Sequence, residues 1–208
     1  MENTQNNVEM RRIIWRKPEG HIRIGRRSGV VLQHPYPMYF YPDNLQESIL
    51  LFQKEKFDYS YVKHLPPEIR KSSRINVKEL NNEKWNLTIW EIVNVLPLPG
   101  RLEEGIAAFP EEIPRRLIKL FSFAGETVLD PFLGSGTTVK VAKELGRNSI
   151  AYEIDVELKP VILEKIGYGQ STLSGDKIQI EERKDVKHLR ESLQERVSKR
   201  KSVVGNRS

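Results

Sequence analysis

Two carboxylates and a pair of glycines mark the stretch of this chain best suited to chemistry. Asp130 opens the string Asp130-Pro131-Phe132-Leu133-Gly134-Ser135-Gly136-Thr137-Thr138, and Glu153 stands 23 positions after it. A Gly-x-Gly between strand and helix lets the backbone turn tightly and lets a ligand approach the amides closely. A helix starting at Thr137 aims its first N–H groups at the same spot, which favours an anionic ligand group there. An acid at the end of the following strand can accept hydrogen bonds from both hydroxyls of a ribose. The pattern therefore points to a nucleoside-containing cofactor. A P-loop would carry Lys directly after Gly136, and none is there; a dinucleotide fingerprint would carry Gly where Val139 stands. Asp130 would repel a pyrophosphate but tolerate a cation. S-adenosylmethionine fits these terms, with its ribose, carboxylate, ammonium and sulfonium and no phosphate. A plain βα turn with glycines kept for packing is the alternative.

The surrounding sequence supplies the elements that must hold this turn. Residues 114–121 have helical periodicity, with apolar Leu117, Ile118, Leu120 and Phe121. The pattern then predicts a strand over 126–130, a turn over 131–136, and a helix over 137–145 that Gly146 stops. A second strand over 148–153 and a second helix over 157–166, despite Pro160, complete a right-handed βαβ unit in a parallel sheet. Upstream, residues 12–16 form a short β-rich run and 22–29 a loop dense in Arg and Gly. Residues 47–54 read as a buried strand ending in charge. Residues 55–84 are polar, interrupted by Pro66-Pro67, and read as a loop-rich insertion. Residues 88–93 are strand-like. Beyond Gly175 a charged helical stretch (181–201) lacks a clean apolar face. Trp15, Trp85 and Trp90 suit core or interface anchors.

Composition narrows the class. The chain has 208 residues, 38% hydrophobic and 30% charged, enough to bury a core without staples. Zero cysteines exclude a disulfide framework, a thiolate metal site and a thiol nucleophile. His21, His34, His64 and His188 are too scattered to suggest a histidine metal centre. No apolar run is long enough to span a membrane and residues 1–7 are polar, so the expected location is the cytoplasm. The net charge of +6 is uneven: +4 over residues 1–34, −2 over 35–53, +3 over 54–84, −3 over 85–175 and +4 over 176–208. Basic ends around an acidic middle suit a polyanion partner.

The string DPFLGSGTT resembles the cofactor loop of the amino-methylating DNA methyltransferases, which modify adenine N6 or cytosine N4. The segment beginning Phe109-Pro110 is similar to that family's Phe-Pro segment, and Ala151-Tyr152-Glu153-Ile154-Asp155 to its second motif. Ile13-Ile14-Trp15-Arg16-Lys17-Pro18 and residues 47–54 resemble the stretch just before its target-recognition region, so the likeness covers about residues 11–167. It implies an α/β fold, a partial doubly wound, Rossmann-like sheet with a small irregular recognition insertion. It also implies S-adenosyl-L-methionine as cofactor and double-stranded DNA as partner. Asp130, Phe132, Gly134, Ser135, Gly136 and Thr137 would hold the methionine end, Glu153 the ribose, and Phe109 with Pro110 the cofactor's flank. Arg23, Arg26, Arg27, Lys71 and Arg74 are the candidate DNA contacts.

Two departures stand out. Gly105-Ile106 occupies the place of the family's usual His-Pro. The family's catalytic tetrad, Asp, Asn or Ser followed by Pro-Pro and an aromatic residue, is absent. Pro66-Pro67 is preceded by Leu65 and followed by Glu68, and His34-Pro35-Tyr36-Pro37 lacks the Pro-Pro pair. No catalytic or metal-ligating residue is therefore assigned. The expected chain is the C-terminal part of a DNA methyltransferase, split or truncated, with an apolar sheet edge and face for a complementing polypeptide to cover. Its expected parts are catalytic-half strands and a basic loop (1–53), a recognition insertion (54–88), the cofactor-binding βαβ region (89–170) and a charged tail (171–208). A non-catalytic recognition or regulatory subunit of a methyltransferase or restriction-modification complex is the rival expectation.

Overall fold

The computed structural model describes residues 9–18, 36–37, 45–54, 56–95, 109–169 and 177–182. Three strands make the first sheet: β1 (Glu9–Arg16), β2 (Gln46–Gln53) and β3 (Ile89–Glu91), in the order β2-β1-β3. β1 runs antiparallel to β2, with Glu9 opposite Gln53 and Arg16 opposite Gln46. It runs parallel to β3, with Ile14 opposite Ile89. Alternation sends Ile13 and Trp15 inward, where they join Trp90, Ile92 and Ile113, with Ile49, Leu51, Leu117 and Leu120 packed around them. Trp15 Nε1 donates to the Ile92 carbonyl at 2.8 Å, so the indole is buried without an orphaned polar atom. β2 departs from expectation. Leu50 and Phe52 are exposed and only Ile49 and Leu51 turn to the core, because β2 is an outer strand covered on one face.

Helix α4 (Glu112–Phe121) joins the two cores of this unit. Three short helices precede it: α1 (Tyr61–His64), α2 (Pro67–Ser72) and α3 (Val77–Asn82). Ile113, Leu117 and Leu120 of α4 lie on the three-stranded sheet, while Ile118 packs with Val141, Ala142, Val128 and Leu145. Arg116 is buried in the same helix. Its guanidinium lies 5.7 and 5.2 Å from the Trp85 and Trp90 ring centres and its Nε donates to Glu112 at 2.7 Å.

The segment expected to be loop-rich is therefore helical. Pro67 starts α2 at its first position, and the Asn76 side chain caps α3 by accepting from the Lys78 and Glu79 amides. This insertion docks on the turn after α4. The rings of Phe57 and Tyr61 meet Phe123 at 6.4 and 5.8 Å, and the Ala124 amide donates to Ser73 Oγ at 2.8 Å.

The second sheet pairs β4 (Thr127–Asp130) in parallel with β5 (Asn148–Ala151), with α5 (Thr137–Glu144) between them in sequence. β5 stops at Ala151, short of the expected Glu153. A 3-10 turn (Val156–Leu158) leads into α6 (Lys159–Ile166), whose Pro160 sits in the first turn, where its missing N–H costs nothing. Lys140 Nζ meets Glu111 at 2.6 Å and Arg115 meets Glu144 at 2.6 Å, so α4 and α5 are joined by two ion pairs. The Glu111 hydrogen bond raises the Lys140 pKa above its ordinary 10.5. Val128 turns toward α5, whereas Leu129 and Ile150, directly opposite each other, are 61% and 52% exposed. The expected α/β, partial Rossmann-like architecture holds, its strands laid out among the described residues as a mixed three-stranded sheet and a parallel two-stranded one.

Residues 167–208 form a second compact unit. In it 167–169 make a turn and 177–182 are irregular, with Gln179 Nε2 donating to Glu181 at 2.8 Å. Most of the helix expected over 181–201 lies outside the described residues. No helix of the described residues is long and apolar enough to cross a membrane.

Candidate functional site

The loop from Asp130 to Thr137 lies at the C-terminal edge of β4, where open parallel sheets place ligands. Asp130 Oδ1 accepts from the Phe132 amide at 3.0 Å, folding the chain back at the strand's end. Backbone bonds then tie the loop to the residues after β5: Tyr152 N–H donates to Asp130 O at 3.0 Å, and Leu133 N–H to Tyr152 O at 2.8 Å. Gly134 and Gly136 take φ of +55° and +91°, the left-handed region that a side chain resists. Gly136 is the N-cap of α5, and Ile162 and Ile166 of α6 press against it.

Glu153 holds this arrangement from the other side. One carboxylate oxygen accepts from the Gly134 amide and the other from the Asp155 amide, each at 2.8 Å. An ionised carboxylate offers about four acceptor positions, so two remain for a ligand. Asp155 is itself committed to capping the 3-10 turn through the Glu157 amide at 3.1 Å. Three carboxylates thus gather at the strand ends. Beside the α5 N-terminus, Lys165 Nζ donates to Ser135 Oγ at 2.6 Å. A zwitterionic ligand with a hydroxylated sugar suits this division of charge.

The structure brings together Asp130, Phe132, Gly134, Ser135, Gly136, Thr137 and Glu153. Ser135 and Thr137 are buried, whereas Phe132 is 87% exposed at the mouth of the loop. Phe109 and Pro110 directly precede Glu111, which holds Lys140 about one turn into α5. Lys71 and Arg74 are not brought to the loop. Lys71 lies in α2 and Arg74 just beyond it, and Ser73 between them accepts from the Ala124 amide, near the start of β4, while the loop follows its end. Arg23, Arg26 and Arg27 lie outside the described residues. Among the described residues no group of three His, Asp or Glu is placed to hold a metal ion. Lys165 is the site residue that sequence reasoning missed; its one signal is the shared face of Ile162, Lys165 and Ile166 on α6.

Gly136→Ala tests the turn. A Cβ there would stand 3.5 Å from Ile166 Cγ2, an ordinary contact, so the cost comes from the left-handed backbone. A loss of about 1–2 kcal/mol in stability is expected, read by urea denaturation, with weakened ligand binding. An unchanged midpoint would show that the turn relaxes freely.

A family model described as DNA methylase, covering the N6 and N4 enzymes, matches residues 1–164. The Type II methyltransferase M.MjaI of Methanocaldococcus jannaschii is 44% identical over 164 residues, which is 79% of this chain and 51% of that protein. M.MthZI of Methanothermobacter thermautotrophicus is 34% identical over 157 residues, 74% and 42% of the two chains. This chain thus spans about half the length of the curated relatives it matches. Among solved structures, a Thermus thermophilus protein described as a DNA modification methylase, complexed with S-adenosyl-L-methionine, superposes with a TM-score of 0.54. It is 26% identical, with 77% of this chain and 54% of that one covered.

Proposed function

The chain belongs to the DNA methylase family of N6 and N4 methyltransferases, and from that premise we propose that it carries the S-adenosylmethionine site of a DNA methyltransferase acting on adenine N6 or cytosine N4. The observation that carries the reading is the loop pinned by Glu153 through the Gly134 amide. The residues fit the cofactor in kind. Glu153 keeps acceptor positions for the ribose hydroxyls, and Asp130 offers a carboxylate to the ammonium. The first amides of α5 suit the carboxylate, and Phe132 and Phe109 offer apolar surface to the flank. S-adenosylmethionine supplies a methyl group on a sulfonium; the part of this chain is to bind and orient it.

The catalytic tetrad belongs, in this reading, to a complementing polypeptide. One observation supports it: among the described residues the face carrying Leu129 and Ile150 is bare. Parallel strands ordinarily have both faces covered. The parts proposed are catalytic-half strands (1–53), a recognition insertion (54–88), the cofactor region (89–170) and a charged tail (171–208). In the insertion, Lys71 and Arg74 would meet DNA phosphate at a distance from the loop, and Arg23, Arg26 and Arg27 would add to that contact.

The test combines this chain with the part of the M.MjaI methyltransferase outside the 164 matched residues, and measures transfer of labelled methyl groups to DNA. Activity is expected from the mixture and not from either piece. Asp130→Ala with Glu153→Ala should abolish it. Robust transfer by this chain alone would sink the complementation reading. A double variant that keeps DNA binding and full support of the partner's activity would favour a non-catalytic recognition subunit.

A further inference from the structure

We infer that Lys165 is a positioning residue that commits the Ser135 hydroxyl to donating into the site, where it selects ligands bearing a carboxylate. The inference rests on the cofactor reading above and deepens it. Lys165 Nζ donates to Ser135 Oγ at 2.6 Å. An ammonium has donors and no acceptor, so Ser135 Oγ accepts in this bond and its own proton must go elsewhere. Among the described residues, its other hydrogen-bonding neighbour is Thr137 Oγ1, at 3.5 Å, too far for a well-made O–H···O bond. Ser135 is only 4% exposed, so water is a poor substitute. A buried donor without an acceptor is costly, and a ligand atom is the natural remedy.

The surroundings say which kind of atom. Ser135 directly precedes Gly136, the N-cap of the eight-residue α5, so its hydroxyl lies at the positive end of a helix. The Lys165 ammonium adds a full positive charge on the same side. Asp130, Glu153 and Asp155 supply the negative charge at the strand ends. An anionic acceptor is thus favoured at Ser135, and the α-carboxylate is the anionic group of the proposed cofactor. Lys165 need not touch it: by occupying the acceptor side of the hydroxyl, it turns the donor side outward.

The test compares two ligands that differ in that group alone, S-adenosylhomocysteine and its decarboxylated analogue, by ligand-observed NMR titration of the full chain. The unsubstituted chain should prefer the carboxylate-bearing ligand by about tenfold or more, the scale of one charge-assisted hydrogen bond. Lys165→Met should remove most of that preference and leave affinity for the decarboxylated analogue unchanged. Ser135→Ala should lose the same preference, and Lys165→Arg should restore it. Preference intact in Lys165→Met, or both ligands weakened equally, would overturn the inference. Failure of the unsubstituted chain to bind either ligand would instead overturn the cofactor reading beneath it.

Discussion

Glu153→Ala is expected to lower affinity for S-adenosylhomocysteine by about 100-fold or more, the largest effect of any single change in the loop. The carboxylate holds two backbone amides, those of Gly134 and Asp155, at 2.8 Å each. Removing it leaves two part-buried donors unpaired, at about 1–3 kcal/mol each. The proposed contacts to the ribose are lost as well. About 2.7 kcal/mol of that total, passed on to binding, is already 100-fold. Glu153→Gln is the informative partner. Its single amide oxygen can keep the Gly134 bond or the Asp155 bond but not both, so an intermediate loss is expected. Calorimetric titration of the three proteins is the measurement. Binding by Glu153→Ala within about threefold of the parent would show that the loop holds its shape, and the ligand, by other means.

Trp90→Ala should cause the largest loss of stability, about 3–5 kcal/mol. The indole is 1% exposed and lies in the cluster formed with Ile13, Trp15, Ile92 and Ile113. Its Nε1 donates to the Trp85 carbonyl at 3.2 Å, and Arg116 covers its ring. Truncation would open a cavity among β1, β3 and α4 and strip Arg116 of one of its two aromatic partners. Trp90→Phe keeps a ring and loses mainly the hydrogen bond and volume, and should cost about 1–2 kcal/mol. At roughly 2–4 °C per kcal/mol for a chain of this size, Trp90→Ala should melt about 10 °C lower. A shift of under about 2 °C would mean that the three-stranded sheet does not depend on this side chain. Arg116→Ala should be milder, because its partner Glu112 keeps access to water once released.

The loop from Asp130 to Thr137 was legible in the sequence because its turn chemistry is local. Glycines 134 and 136, the strand before them and the helix after them are each specified by residues within a few positions, and the structure follows them closely. The insertion was not legible for the opposite reason. α1, α2 and α3 are four to six residues long and none buries a residue, so no apolar period marks them. Their docking depends on Phe123 and Ala124, the latter 51 positions from Ser73. Residues 49–52 misled in another way. An unbroken Ile-Leu-Leu-Phe run reads as a strand covered on both faces, yet it forms an outer antiparallel strand covered on one. Lys165 escaped notice because a lone lysine on an amphipathic helix looks the same whether it meets water or a buried hydroxyl.

The two sheets also differ in how much chain each must close. β4 and β5 bring together Thr127 and Asn148, 21 positions apart, with α5 filling the interval. β1 and β3 join Ile14 to Ile89, 75 positions apart, across β2 and the whole helical insertion. By the logarithmic rule for loop closure, the longer connection costs about 1 kcal/mol more entropy before any contact repays it. Short-range pairing is also the faster kind. The Asp130–Thr137 loop therefore sits on the quickly assembling half, while the three-stranded sheet waits on the long excursion between its first strand and its last. A chain emerging from the ribosome offers β1 before β3, and must hold that strand incompletely paired until Trp90 arrives.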